Sequence, residues 1–195
     1  MNDVPDNRSF LPYGRQQIDE ADEQAVLEVL RGDWLTTGPT VDAYEAAFAE
    51  RVGAKHAIAC SSGTAGLHMA ALALDLDFGD IVVVPSVTFL ATANAARYVK
   101  ADVLFADVDP ETGVMRVEDV KRAIAGMTKG TVKAIFPVHL TGHTVNIDEL
   151  AGEFPELVLV EDACHAIGAD YEIGGSMVPV GSCPHGGITM FSTHP

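Results

Sequence analysis

Glu161 and Asp162 stand side by side where the aliphatic run of residues 157–160 ends, with His165 a little further on. A carboxylate at the end of a buried strand is costly to desolvate unless a cation or a hydrogen-bond donor receives it. Asp162 therefore needs a partner: a helix N-terminus to cap, an ion pair, or a protonated ligand atom. His165 has two readings, a group close to such a ligand or a hydrogen-bonded interior histidine. The segment SSGTAGL, residues 61–67, offers different chemistry. Ser62 and Thr64 supply hydroxyls, Gly63 permits close approach, and the N–H groups of a helix starting here attract an anion. A phosphate fits this turn, and so does a plain helix cap. Phe89, just beyond the aliphatic run 81–84, can stack on a planar ligand or serve as a core aromatic. His139 and His143 fall across a turn containing Gly142, a poor spacing for a metal, and none is expected.

These groups matter only if the chain brings them together. Short aliphatic runs at 56–60, 81–84, 103–105, 134–138 and 157–160 read as strands, and residues 188–192 as one more. Helical spacing over 64–74, 91–99, 117–125 and 147–154 separates them, with Thr88 placed to cap the second of these. Upstream, residues 19–31 have acids early and Gly32 as a stop, which predicts a helix. A second helix follows Gly38-Pro39, with Thr40 as its cap and Gly53 at its end. Strands apolar throughout, alternating with crossover helices, predict an α/β domain: a mostly parallel sheet with helices on both faces. Ligands of such sheets gather at the C-terminal strand ends. Successive strand ends then carry a phosphate cradle, an aromatic plate and a carboxylate, which together describe a pocket for pyridoxal phosphate.

Composition narrows the remaining classes. The chain has 195 residues, 48% of them hydrophobic, enough for a sizeable core. A net charge of −16 repels nucleic acid over most of the surface, and none is expected as a partner. No apolar run approaches a membrane span and the first residues lack a secretory layout, so the cytoplasm is the expected location. The three cysteines, Cys60, Cys164 and Cys183, are odd in number and far apart, which suits reduced thiols in the core.

The motifs SSGTAGL, TFLATANAA, FADVDPETG, PVHLTG, EDACHAIGA and MFSTHP, in this order, resemble the DegT/StrS-type sugar aminotransferases. These are fold type I pyridoxal phosphate enzymes acting on nucleotide-linked keto sugars, and the resemblance covers nearly the whole chain. The opening LPYGRQQIDEADEQAVLEVLRGDWLTTGP is similar to a narrower branch, the UDP-4-amino-4,6-dideoxy-N-acetyl-β-L-altrosamine transaminases of pseudaminic acid biosynthesis. The resemblance implies that Ser62, Gly63, Thr64 and Ser192 hold the cofactor phosphate and that Phe89 stacks on its ring. It implies that Asp162 pairs with the ring nitrogen, keeping it protonated, and that His165 lies near the phenolic oxygen. Tyr13, Trp34, Leu35 and Thr36 would help hold the sugar nucleotide, glutamate would donate the amine, and two subunits would share the site.

In the family, the segment matching FSTHP runs on to the lysine that forms the Schiff base with the cofactor. The five lysines here, Lys55, Lys100, Lys121, Lys129 and Lys133, match no such position. The expected organisation is an N-terminal arm and helix over 1–40 and an incomplete cofactor-binding large domain over 41–195. The catalytic lysine and a smaller C-terminal domain are expected on a longer chain. Two other readings stand: a remnant that binds the cofactor or a sugar nucleotide without catalysis, and a lysine-independent sugar dehydratase relative. Two departures accompany the resemblance. Thr193 replaces a usual Phe, which is expected to loosen packing beside the cofactor, and Gly186-Gly187 replaces a more polar pair, which is expected to make the lead into the last strand flexible.

Overall fold

The computed structural model describes residues 16–194. Residues 41–193 form one compact unit, and the described residues up to Thr40, with His194, fall outside it. In the latter, α1 (Glu20–Arg31) is started by a capping box. The Asp19 carboxylate accepts the N–H groups of Ala21 and Asp22 at 2.9 and 3.1 Å, and the Asp22 carboxylate accepts the Asp19 N–H at 3.0 Å. Gly32 is the C-cap.

The compact unit contains most of α2 (Pro39–Val52), then α3 (Gly63–Ala73), β1 (Asp80–Pro85), α4 (Leu90–Tyr98), β2 (Asp102–Ala106) and α5 (Val117–Ala125). There follow β3 (Thr131–Ile135), a 3-10 turn at Leu140–Gly142, α6 (Ile147–Glu153), β4 (Val158–Asp162), β5 (Asp170–Ile173), β6 (Ser176–Pro179) and β7 (Ile188–Met190). The main sheet runs β2-β1-β3-β4-β7 and is parallel at every pairing. Its order reverses direction at β1: the chain goes outward to β2, then returns past β1 to β3. Such a switch point opens a crevice at the C-terminal strand ends.

Strand periodicity assigns the two faces. Val82 and Val84 join the α3 and α4 side, where Leu67, Ala70, Ala91, Ala95 and Ala96 pack with Val160 and Met190. Val83 joins the opposite side, with Val117, Val120, Ile147, Leu150 and Leu159 from α5, α6 and β4. Each fully shielded valine contributes about 1.5–3 kcal/mol of transfer free energy.

Several sequence expectations need correction. Residues 56–60 belong to no strand, and Ile58 is exposed. The Ala59 N–H donates to Glu45 Oε1 at 2.7 Å, which occupies a group a ladder would use. Thr40 sits inside the first turn of α2, which starts at Pro39, and is no cap; proline is well suited to a first helical position. Phe89, not Thr88, is the N-cap of α4. Cys60 is exposed, so only Cys164 and Cys183 lie toward the interior. The hairpin β5–β6 escaped the periodicity reading because its strands have four residues each around the turn glycines Gly174 and Gly175. Gly187 serves close packing: at φ +94° its Cα backs onto the Leu159 carbonyl, where any Cβ would collide. Thr193 is exposed. No described helix is long and apolar enough to cross a membrane.

Candidate functional site

At the C-terminal edge of the sheet, α3, the end of β4 and the residues after β7 converge. Ser62 opens α3 as N-cap, its Oγ accepting the Ala65 N–H at 3.2 Å. The other first-turn N–H groups have no intrahelical acceptor and carry the positive end of the helix dipole. Gly63 lies against the floor of this edge. A Cβ added there would stand 3.2 Å from Cys164 Sγ, 3.3 Å from Met190 Sδ and 3.5 Å from Ser192 Cβ. One turn on, a Cβ at Gly66 would meet Met190 Cγ at 2.8 Å. Two glycines at helical spacing thus let α3 lie directly on β7 and bring its N-terminus beside Ser192.

Asp162 ends β4 and is 4% exposed. Thr92, a fully buried residue of α4, donates its hydroxyl to Asp162 Oδ2 at 2.7 Å, and the Cys164 N–H donates to Oδ1 at 3.3 Å. The Asp162 backbone is fixed too, its N–H bonded to the Pro137 carbonyl and its carbonyl accepting the His139 N–H. Burial, and then the neighbouring Asp162 charge, push the Cys164 thiol up to about 12, so it sits there protonated.

Glu161 faces the other side of the sheet. Its Oε2 lies 2.9 Å from His139 Nε2, and its Oε1 accepts the Thr189 hydroxyl at 3.1 Å. His139 Nδ1 accepts the Val145 N–H at 3.0 Å, which leaves the ring proton on Nε2 for Glu161. Among the described residues no group of three His, Cys, Asp or Glu side chains is placed to hold a metal.

The structure therefore brings together Ser62, Gly63, Thr64, Ser192 and the turn that follows Asp162. Phe89, 73% exposed, begins α4, the helix that also carries Thr92. His165 is exposed in the turn after β4, where its Nδ1 accepts the Thr141 N–H at 3.2 Å. Trp34, Leu35 and Thr36 are exposed in the other unit, and Tyr13 lies outside the described residues. Sequence reading missed Thr92. The signal available was a hydroxyl at helical spacing within the alanine-rich stretch 91–96, a polar group on a face otherwise built to be buried.

The arrangement can hold a phosphorylated aromatic cation: N–H groups and hydroxyls for the anion, a narrow cradle over Gly63 that a methyl group would fill, and an oriented carboxylate for a ring N–H. These residues fit pyridoxal phosphate. All five lysines are exposed, and none lies in a loop leaving a C-terminal strand end.

The family model for DegT/DnrJ/EryC1/StrS aminotransferases matches residues 16–195. An uncharacterized protein of Methanocaldococcus jannaschii, MJ1066, is 40% identical over 167 residues, which is 84% of this chain and 42% of that protein. Spr1654 of Streptococcus pneumoniae, described as a sugar aminotransferase, matches with a TM-score of 0.81 at 28% identity, over 94% of this chain and 48% of its own. Helicobacter pylori PseC, an aminotransferase involved in the biosynthesis of pseudoaminic acid, matches with a TM-score of 0.77 at 26% identity, over 94% and 47%. The chain spans less than half the length of each of these relatives.

Proposed function

The chain belongs to the DegT/DnrJ/EryC1/StrS aminotransferase family, and from that premise we propose that it forms the cofactor-binding part of a nucleotide-sugar aminotransferase. Its mostly parallel sheet with helices on both faces is the fold type I arrangement of solved pyridoxal phosphate-dependent relatives. Spr1654 has been solved in PLP and PMP forms, which supports the same cofactor here. The observation that carries the reading is the meeting of the α3 N-terminus with Ser192 and Cys164 beside the oriented Asp162 carboxylate.

Pyridoxal phosphate, when bound, supplies a carbonyl that carries the amine and a ring that withdraws electrons. The Gly63 and Thr64 N–H groups with the Ser62 and Ser192 hydroxyls bind its phosphate. Asp162 holds the proton on the ring nitrogen, Phe89 covers the ring, and His165 stands by the phenolic oxygen. The proton-shuttling lysine and the smaller domain belong, in this reading, to a longer chain, of which 41–195 is part of the large domain and 1–40 an arm. Tyr13, Trp34, Leu35 and Thr36 contact the sugar nucleotide. The likeness to PseC, an aminotransferase involved in the biosynthesis of pseudoaminic acid, supports a sugar acceptor of that kind; our reading takes the acceptor as a UDP-linked 4-keto-6-deoxy sugar and the donor as glutamate, in a cytoplasmic homodimer.

The test is a half-reaction. The longer chain that carries the lysine, loaded with pyridoxal phosphate and given L-glutamate, should release 2-oxoglutarate in equimolar amount to bound cofactor, then aminate the keto sugar. Tight cofactor binding with no release would leave a non-catalytic binding protein and remove the transferase reading.

A further inference from the structure

We propose that Thr92, supported by Thr88, is a positioning residue that fixes the Asp162 carboxylate for a ring nitrogen. This rests on the cofactor reading above. Thr88 Oγ1 and Thr92 Oγ1 are 2.7 Å apart, and Thr92 Oγ1 is 2.7 Å from Asp162 Oδ2. An ionised carboxylate only accepts, so the single Thr92 hydroxyl proton points at Asp162. The Thr92 oxygen then has only lone pairs for Thr88, and the Thr88 hydroxyl must donate. Proton direction along Thr88, Thr92 and Asp162 is thereby set by connectivity alone.

The consequence is geometric and electrostatic. Thr92 comes from α4 and Asp162 from β4, seventy residues apart in sequence, so the bond ties the switch-point helix to the strand end. It occupies one lone pair of Oδ2, while the Cys164 N–H occupies one of Oδ1. Both oxygens are held, and each keeps lone-pair capacity for a cationic N–H. Without the hydroxyl, a nearly buried carboxylate retains one long backbone bond, and turning away becomes the cheaper arrangement. Thr92 has no other described hydrogen-bonding partner on its side chain than Thr88 and Asp162.

The probe is pyridoxamine 5′-phosphate, which forms no adventitious imine with surface lysines, compared with its carbocyclic analogue bearing C–H in place of the ring nitrogen. Wild-type protein should prefer the nitrogen-containing ligand. Thr92→Val should reduce that preference about tenfold or more, the scale of a charge-assisted hydrogen bond, while affinity for the carbocyclic analogue changes less than about twofold. Thr92→Ser should restore the preference, and Thr88→Val should lower it by a smaller factor. Equal weakening of both ligands by Thr92→Val, or a preference that survives it, overturns the positioning role. Absence of any preference in the wild type would instead remove the assignment of Asp162 to the ring nitrogen, and this inference with it.

Discussion

His139 Nε2 and Glu161 Oε2 lie 2.9 Å apart with both side chains almost completely buried, on the face of the sheet opposite to Asp162. Glu161 pairs in register with Thr189 of β7, whose hydroxyl it also accepts. One buried carboxylate thus joins β4, β7 and the loop after β3, the segments that place Asp162 and Ser192. Removing one partner of a buried pair strands the other. His139→Ala removes a hydrogen-bond donor from a buried carboxylate and is expected to lower unfolding free energy by about 1–3 kcal/mol, read from urea denaturation. A loss under about 1 kcal/mol would show that the pair contributes no more than a surface one.

Gly63→Ala separates the cradle from the fold. Alanine at the first turn of α3 favours helix by up to about 1 kcal/mol, roughly offsetting the tight contacts with Cys164 and Met190. Stability should stay close to the parent, while affinity for pyridoxamine 5′-phosphate falls about tenfold or more. Unchanged affinity would place the phosphate elsewhere.

Thiol reactivity should split sharply. Cys60 is exposed, whereas burial and Asp162 raise Cys164 from 9.0 to about 12, and burial also raises Cys183. Iodoacetamide at pH 8 should alkylate Cys60 alone in the native protein and all three cysteines in urea, read by intact mass. For an acid with a raised folded pKa, the unfolded chain loses its proton first. Stability supplied by the neutral Cys164 is therefore lost progressively as pH climbs from about 9 toward 12. Rapid native labelling of Cys164 would contradict its placement.

The two glycines before β7 should behave differently. Gly186 has φ +72° and open space around it, while Gly187 has φ +94° and sits on the Leu159 carbonyl. Gly186→Ala is expected to cost about 1–2 kcal/mol, the left-handed penalty. Gly187→Ala should cost clearly more, because the Leu159 carbonyl of β4 must also shift. Equal losses in denaturant titrations would remove the close-packing role.

Much of this architecture was legible in the sequence because fully buried parallel strands leave continuous aliphatic runs, as in Val82-Val83-Val84. Residues 56–60 show the limit of that signal. Ile58 and its neighbours have strand composition, but a strand also needs a partner across its edge, and among the described strands β7 pairs with β4 alone. Around the site, Asp162 declared itself because a carboxylate after four aliphatic residues demands a donor. Its donor did not, because Thr92 is seventy positions away and becomes adjacent only when folding brings α4 to the end of β4. For His139 the sequence spoke only against a metal, while its role is set by Glu161, whose orientation follows from strand alternation.

The central claim is that α3, β4 and the residues after β7 form one pyridoxal phosphate cradle. A crystal structure of the protein soaked with pyridoxamine 5′-phosphate tests it most directly. The account predicts density with the phosphate over the Gly63 and Thr64 N–H groups beside Ser192, and the ring nitrogen about 3 Å from an Asp162 oxygen. Ligand bound elsewhere, or an Asp162 carboxylate turned away from the ring nitrogen, would contradict it.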